Sequence, residues 1–259
     1  VYPMIKLAKG TSLWGRDYLA AGILVGLLFA AEFFLVAQAL RFTSAAHTVV
    51  LLYTAPIFVA LGLHWKLPSE RLSLIQWLGI ACAFFGIVIA FLFRPAASQA
   101  AASSALWGDA LALLAGVLWA ATTIAVRLTK LAEAPATQTL FYQLFIAFFV
   151  LLPVAFFMGQ ATIHWSVLSL TSLLFHTVVV SFASYLIWFW LLKKYLASQL
   201  GVFSFLTPIF GMCFGVVLLN EHLELNFLVG TCFVLMGVMV VSLHHKIKQY
   251  AQAFKVALQ

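Results

Sequence analysis

The sequence predicts an all-α integral membrane protein, an inverted repeat of five-helix units in which about eight helices of a ten-helix fold are present. Composition, the length of the apolar runs and a duplicated segment carry that prediction. Only 8% of the 259 residues are Asp, Glu, Lys or Arg and 65% are hydrophobic, against about a quarter charged in a soluble domain. One globular core of this size cannot hide so much apolar surface, so much of it must face lipid. A membrane-spanning helix needs about 20 mostly apolar residues, and several runs reach that length.

Windows of about 19 residues place spans at 18–40, 46–63, 74–93, 107–128, 138–158, 168–191, 198–218 and 225–243. Similar runs recur along the whole chain, which reads against a lone cleaved signal peptide. The connections are short, so consecutive helices must be antiparallel neighbours. Only residues 95–106 have linker composition, and 244–259 form a polar tail.

Lys and Arg in short loops set orientation. Threading the spans alternately puts Lys6, Lys9, Arg16, Lys66, Arg71, Arg127, Lys130, Lys193, Lys194, Lys246, Lys248 and Lys255 on one side. Arg41 and Arg94 fall on the other. Twelve against two makes the first side cytoplasmic, with both ends of the chain there. The linker 95–106 is then extracytoplasmic and the tail cytoplasmic. The basic residues form no stripe with interleaved aromatics, which excludes nucleic acid as a partner. Cys82, Cys213 and Cys232 lie in apolar runs without CxxC spacing, so neither a disulfide framework nor a metal site is expected.

Residues 47–91 align with 199–242. Pro56-Ile57-Phe58 matches Pro208-Ile209-Phe210, Glu70 meets Glu221, Gly79 meets Gly230 and Gly86 meets Gly237. The charge count puts Glu70 and Glu221 on opposite sides, so the copies are inserted in opposite senses and each repeat has an odd number of helices. The second copy holds five, and the first holds three plus the fragment at 1–10. Two further helices are therefore expected ahead of it, about 50 residues of chain before Val1. Inverted repeats mark transporters that expose a midplane site to each side in turn.

Ala39-Leu40 with Thr43-Ser44-Ala45, the TAPIF and LTPIF helices, Glu70-Arg71-Leu72 with Gln76-Trp77-Leu78-Gly79, and Gly108-Asp109 leading to Leu118-Trp119-Ala120 carry a family resemblance. Together they resemble EamA-type members of the drug/metabolite transporter superfamily. That resemblance implies ten helices around a central cavity lined mainly by the first, third, fourth, sixth, eighth and ninth, in proteins that typically export amino acids and related metabolites. It makes 1–94 a first EamA-type repeat lacking two helices and 107–243 a second.

Glu32 is the one carboxylate well inside a predicted span. A charge at that depth is costly, and such residues usually face a wet cavity or a partner. It reads either as a substrate-amine or proton-coupling site or as a hydrogen-bonded packing carboxylate. Glu32 corresponds to Ser184, Phe33 to Tyr185 and Val36 to Trp188. Ser181, Ser184, Tyr185 and Trp188 fall on one helical stripe, which suits a cavity wall or a helix contact. Tyr53 and Phe205 each precede a span proline by three residues, and Pro56 and Pro208 bend their helices beside a cavity or at a packing kink. His176 is a proton-relay candidate or a histidine bonded to a neighbouring helix. Trp119 and Tyr142 offer aromatic surface, and Gly211-x-x-x-Gly215 reads as close helix packing.

No Lys or Arg lies mid-span to pair a phosphate, so a zwitterionic, neutral or cationic substrate is expected. HExxH, GxSxG and paired intramembrane Asp are absent, which reads against an enzyme. No GxxxxGK[ST] loop occurs, so the energy source is a gradient and no cofactor is expected. The reading is a secondary exporter of small metabolites, amino acids foremost, in the bacterial inner membrane, as a monomer or homodimer. The alternatives are proton-coupled efflux of cationic compounds through Glu32 and a non-transporting receptor or assembly subunit.

Overall fold

The computed structural model describes residues 16–68, 71–92, 99–162, 164–184, 187 and 206–257, and those residues form an antiparallel helical bundle. Helix α1 is Arg16–Ala39 and α2 is Ala45–Leu52. Next come α3, Ala55–Lys66, α4, Leu74–Leu92, and α5, Gln99–Leu128. A 3₁₀ turn at Lys130–Ala132 leads to α6, Ala136–Phe157. Helix α7, Val167–Leu174, continues as a π-helix over Phe175–Ala183. Helices α8, Leu206–Leu219, and α9, Leu225–Ala257, complete the described elements.

Five of these stretches are long and apolar enough to cross a membrane, and three shorter apolar helices fall on the remaining predicted spans. Leu24, Leu27, Phe148, Phe149 and Phe156 are exposed. In a water-soluble fold such surface would be a liability; in this integral membrane protein it meets the lipid.

Three local departures from the predicted spans occur, the first two with a local physical cause. The span over 46–63 is two helices, because Pro56 has no N–H to give to the preceding turn. Thr54 covers the break, its hydroxyl donating to the Leu51 carbonyl at 2.6 Å. Helix α5 begins at Gln99, ahead of the predicted 107, through a run of alanines that favours helix. The span over 168–191 carries the π-helix, in which the Ser184 N–H reaches back to the Val179 carbonyl.

The ends are fixed by short-range bonds. Ser73 and Gln76 cap α4 reciprocally: the Ser73 N–H donates to Gln76 Oε1 at 3.0 Å and the Gln76 N–H to Ser73 Oγ at 3.4 Å. His64 Nδ1 accepts from the Leu72 N–H at 2.9 Å and closes the turn between α3 and α4. Gly159, at φ +66°, takes the left-handed position that ends α6.

The most extensive packing between described helices joins α4 to α9. Gly79 faces Gly237, and Gly86 faces Gly230. Because Gly79 is the repeat equivalent of Gly230 and Gly86 of Gly237, these two contacts exchange under the repeat relation. Cys82 and Phe233, equivalent by the same offset, meet between them, with Sγ 3.5 Å from the Phe233 carbonyl oxygen. A pseudo-two-fold axis therefore passes through this interface. Helix α1 packs on α5 and α6, α5 also on α2 and α3, and α8 on α2.

Candidate functional site

Helices α1, α5 and α6, with the break between α2 and α3, line an open-sided cavity of about 720 Å³. Helix α5 supplies one wall through Trp119, Thr122, Thr123, Val126 and Arg127. Those positions follow the i, i+3, i+4, i+7, i+8 pattern of one helical face. The facing wall is Phe29, Glu32 and Phe33 of α1, again one face, with Tyr53 from the break between α2 and α3 and Gln143 from α6. A second cavity of about 350 Å³ lies between α3, α4, α5 and α9, and shares Trp119 and Thr123 with the first. Pro56, Gln76 and Ser242 are among its lining.

Glu32 is 6% exposed, and its Oε2 has no hydrogen-bond partner among the described residues. Phe29 and Phe33 flank it, their rings tilted with centroids 4.5 Å apart. Tyr53 and Trp119 meet edge to face at 5.1 Å. Thr122 and Thr123 donate to the carbonyls of Leu118 and Trp119, at 3.0 and 3.1 Å, so the hydroxyl lone pairs remain as acceptors. Arg127, in the last turn of α5, adds a cation. The site thus combines aromatic walls, a buried acid, hydroxyl and amide groups and a guanidinium.

Glu32, Tyr53 and Trp119 come together in this cavity, and Pro56 lines its neighbour. Pro208 is buried in α8. Ser184 is exposed and its hydroxyl donates to the Val180 carbonyl; His176 is exposed on the π-helix, its ring beside Phe175. Neither is among the residues lining the Glu32 cavity. Tyr185, Trp188 and Phe205 lie outside the described residues, as does the side chain of Ser181. Sequence reasoning missed Thr122, Thr123, Arg127 and Gln143. The helical stripe from Trp119 to Arg127 was the available signal for the first three.

A lipid-facing helical bundle with an inverted repeat and a polar cavity beside the repeat boundary defines a membrane transport protein. The sequence profile of the EamA-like transporter family matches residues 2–92 and 106–243, and the chain belongs to that family. It is 25% identical over 224 residues to the "Uncharacterized transporter YoaV" of Bacillus subtilis, covering 86% of this chain and 74% of that protein. It is 26% identical over 227 residues to a "Probable amino-acid metabolite efflux pump" of Salmonella typhimurium, with 83% and 73% covered. A "WAT1-related protein" of Arabidopsis thaliana, described as chloroplastic, is 27% identical over 213 residues, with 80% and 50% covered. No solved structure matches the chain.

Proposed function

We propose that this transporter exports small zwitterionic metabolites, amino acids foremost, across the cytoplasmic membrane by alternating access. The observation that carries the reading is Glu32, a buried carboxylate in the lining of a cavity of about 720 Å³ whose Oε2 has no hydrogen-bond partner among the described residues. Cavities that hold small molecules run to about 300–1,000 Å³. A substrate ammonium would pair with this carboxylate once the side chain turns into the cavity, and a charged hydrogen bond is among the stronger ones available. Tyr53, Trp119 and Phe29 form the apolar enclosure for a side chain.

Arg127 favours a zwitterion over a simple cation, because a guanidinium beside the cavity attracts a carboxylate and repels a second positive charge. The name of the Salmonella relative agrees with an amino-acid-like substrate. The basic loops support a cytoplasmic location for the end that bears Lys66, Arg127 and Lys130. Both cavities reach from Trp119 toward that end, through Arg127 in one and Leu63 and Leu72 in the other. The conformation is then the cytoplasm-facing one, ready to load.

Uptake of labelled amino acids into proteoliposomes, with and without a proton gradient, tests the proposal. Saturable flux of a zwitterionic amino acid is expected. Flux confined to organic cations would move the reading to cation efflux, and no saturable flux across the panel would end it.

A further inference from the structure

The opposite end of the bundle, where Arg41 lies, is bridged by polar bonds between segments far apart in the chain. Glu221, in the turn between α8 and α9, accepts from the Ala45 N–H at 2.7 Å and from the Ala46 N–H at 3.0 Å. It thereby caps α2 across the boundary between the repeats. Asp109 of α5, 1% exposed, accepts from the Thr43 hydroxyl, and His47 Nδ1 lies 3.3 Å from its carboxylate oxygens. The other face of the His47 ring stacks on Phe227 of α9, centroids 3.8 Å apart.

Two glycines make this closure possible. A methyl group on Gly215 would lie 2.5 Å from Glu221 Oε2. One on Gly108 would lie 2.8 Å from the Thr43 nitrogen and 2.9 Å from its Cβ. Asp109 and Trp119 are ten residues apart on α5, so the closure sits about 15 Å along the axis from the cavity. The repeats are thus bonded at one end and parted by cavities toward the other.

We infer that Glu221 on the α2 N-terminus, with Asp109 on Thr43 and His47, is the latch of the extracytoplasmic gate, which must break for the cavity to open on that side. A latch of a few hydrogen bonds suits the task better than an apolar seal. Each bond is directional and is lost over a small displacement, and the groups released are ones that water readily solvates. The inference rests on alternating access but not on the identity of the substrate.

Its test therefore uses no substrate. Cys82, Cys213 and Cys232 are replaced, Thr123→Cys is introduced as the reporter shared by both cavities, and a membrane-impermeant thiol reagent is applied to right-side-out and inverted vesicles. Glu221→Gln removes the charge, Gly215→Ala displaces the carboxylate, and Thr43→Val removes one bond to Asp109. Labelling from the Arg41 side should rise on the order of tenfold, the population change that losing one charge-assisted bond brings, and labelling from the other side should fall. Unchanged labelling in variants that keep their thermal melt overturns the inference. If all three variants unfold the bundle, the cluster is a static clamp and the inference fails as well. Because labelling needs no transported compound, failure here is separable from failure of the amino-acid reading.

Discussion

Gly86 and Gly230 pack so closely that a methyl group built on Gly230 would lie 2.5 Å from the Gly86 carbonyl oxygen and 2.9 Å from the Ala90 Cβ. The symmetry-related pair is as constrained, a methyl on Gly237 lying against the Gly79 carbonyl oxygen and 2.7 Å from the Ala83 Cβ. Small residues let membrane helices approach through their backbones, where dispersion and weak polar contacts replace the hydrophobic drive that lipid cannot supply.

Substitution at this contact should therefore act on stability. Gly230→Ala forces α9 away from α4 and should cost about 1–3 kcal/mol, the usual range for overpacking. Gly86→Ala should behave alike, and the double variant should cost less than the sum because one displacement relieves both clashes. Melting in detergent measures it. A melt unchanged by Gly230→Ala would mean that the helices are not held this close.

Glu32→Gln keeps the size and hydrogen bonding of the side chain and removes its titratable group. Flux should fall sharply or lose its dependence on pH, while the melt is unchanged or raised, because a buried charge is costly to keep. Normal flux with a normal pH response would remove Glu32 from the mechanism.

Arg127→Gln should separate substrate classes. Flux of zwitterionic amino acids should drop about ten- to a hundredfold, since a charged contact contributes about 1.5–3 kcal/mol, while organic cations should enter more readily. Parallel losses for both classes would mean that Arg127 serves the fold instead.

Gln138 is fully buried, and neither its Oε1 nor its Nε2 has a hydrogen-bond partner among the described residues. An unsatisfied buried polar group costs about 1–3 kcal/mol, so Gln138→Met, of similar length, should raise the melting temperature. A lower melt would show that the amide is bonded in the folded protein.

Much of the architecture was legible in the chain itself. A span is a local property: about 20 apolar residues suffice to define one wherever they occur, and eight such runs were visible. The duplication was legible because equivalent helices in the two repeats keep the same glycines, Gly79 with Gly230 and Gly86 with Gly237. Glu32 stood out because a lone carboxylate in an apolar run has few reasons to be there. Tertiary structure alone decided which side of each helix meets lipid, a partner or the cavity. Phe29 at the cavity and Phe148 on the lipid surface read alike in sequence, since both are simply apolar. The closure at the Arg41 end was equally hidden. Its bonds join residues 62 to 176 positions apart, and a hydrogen bond depends on a few ångströms of separation that only the packed helices determine.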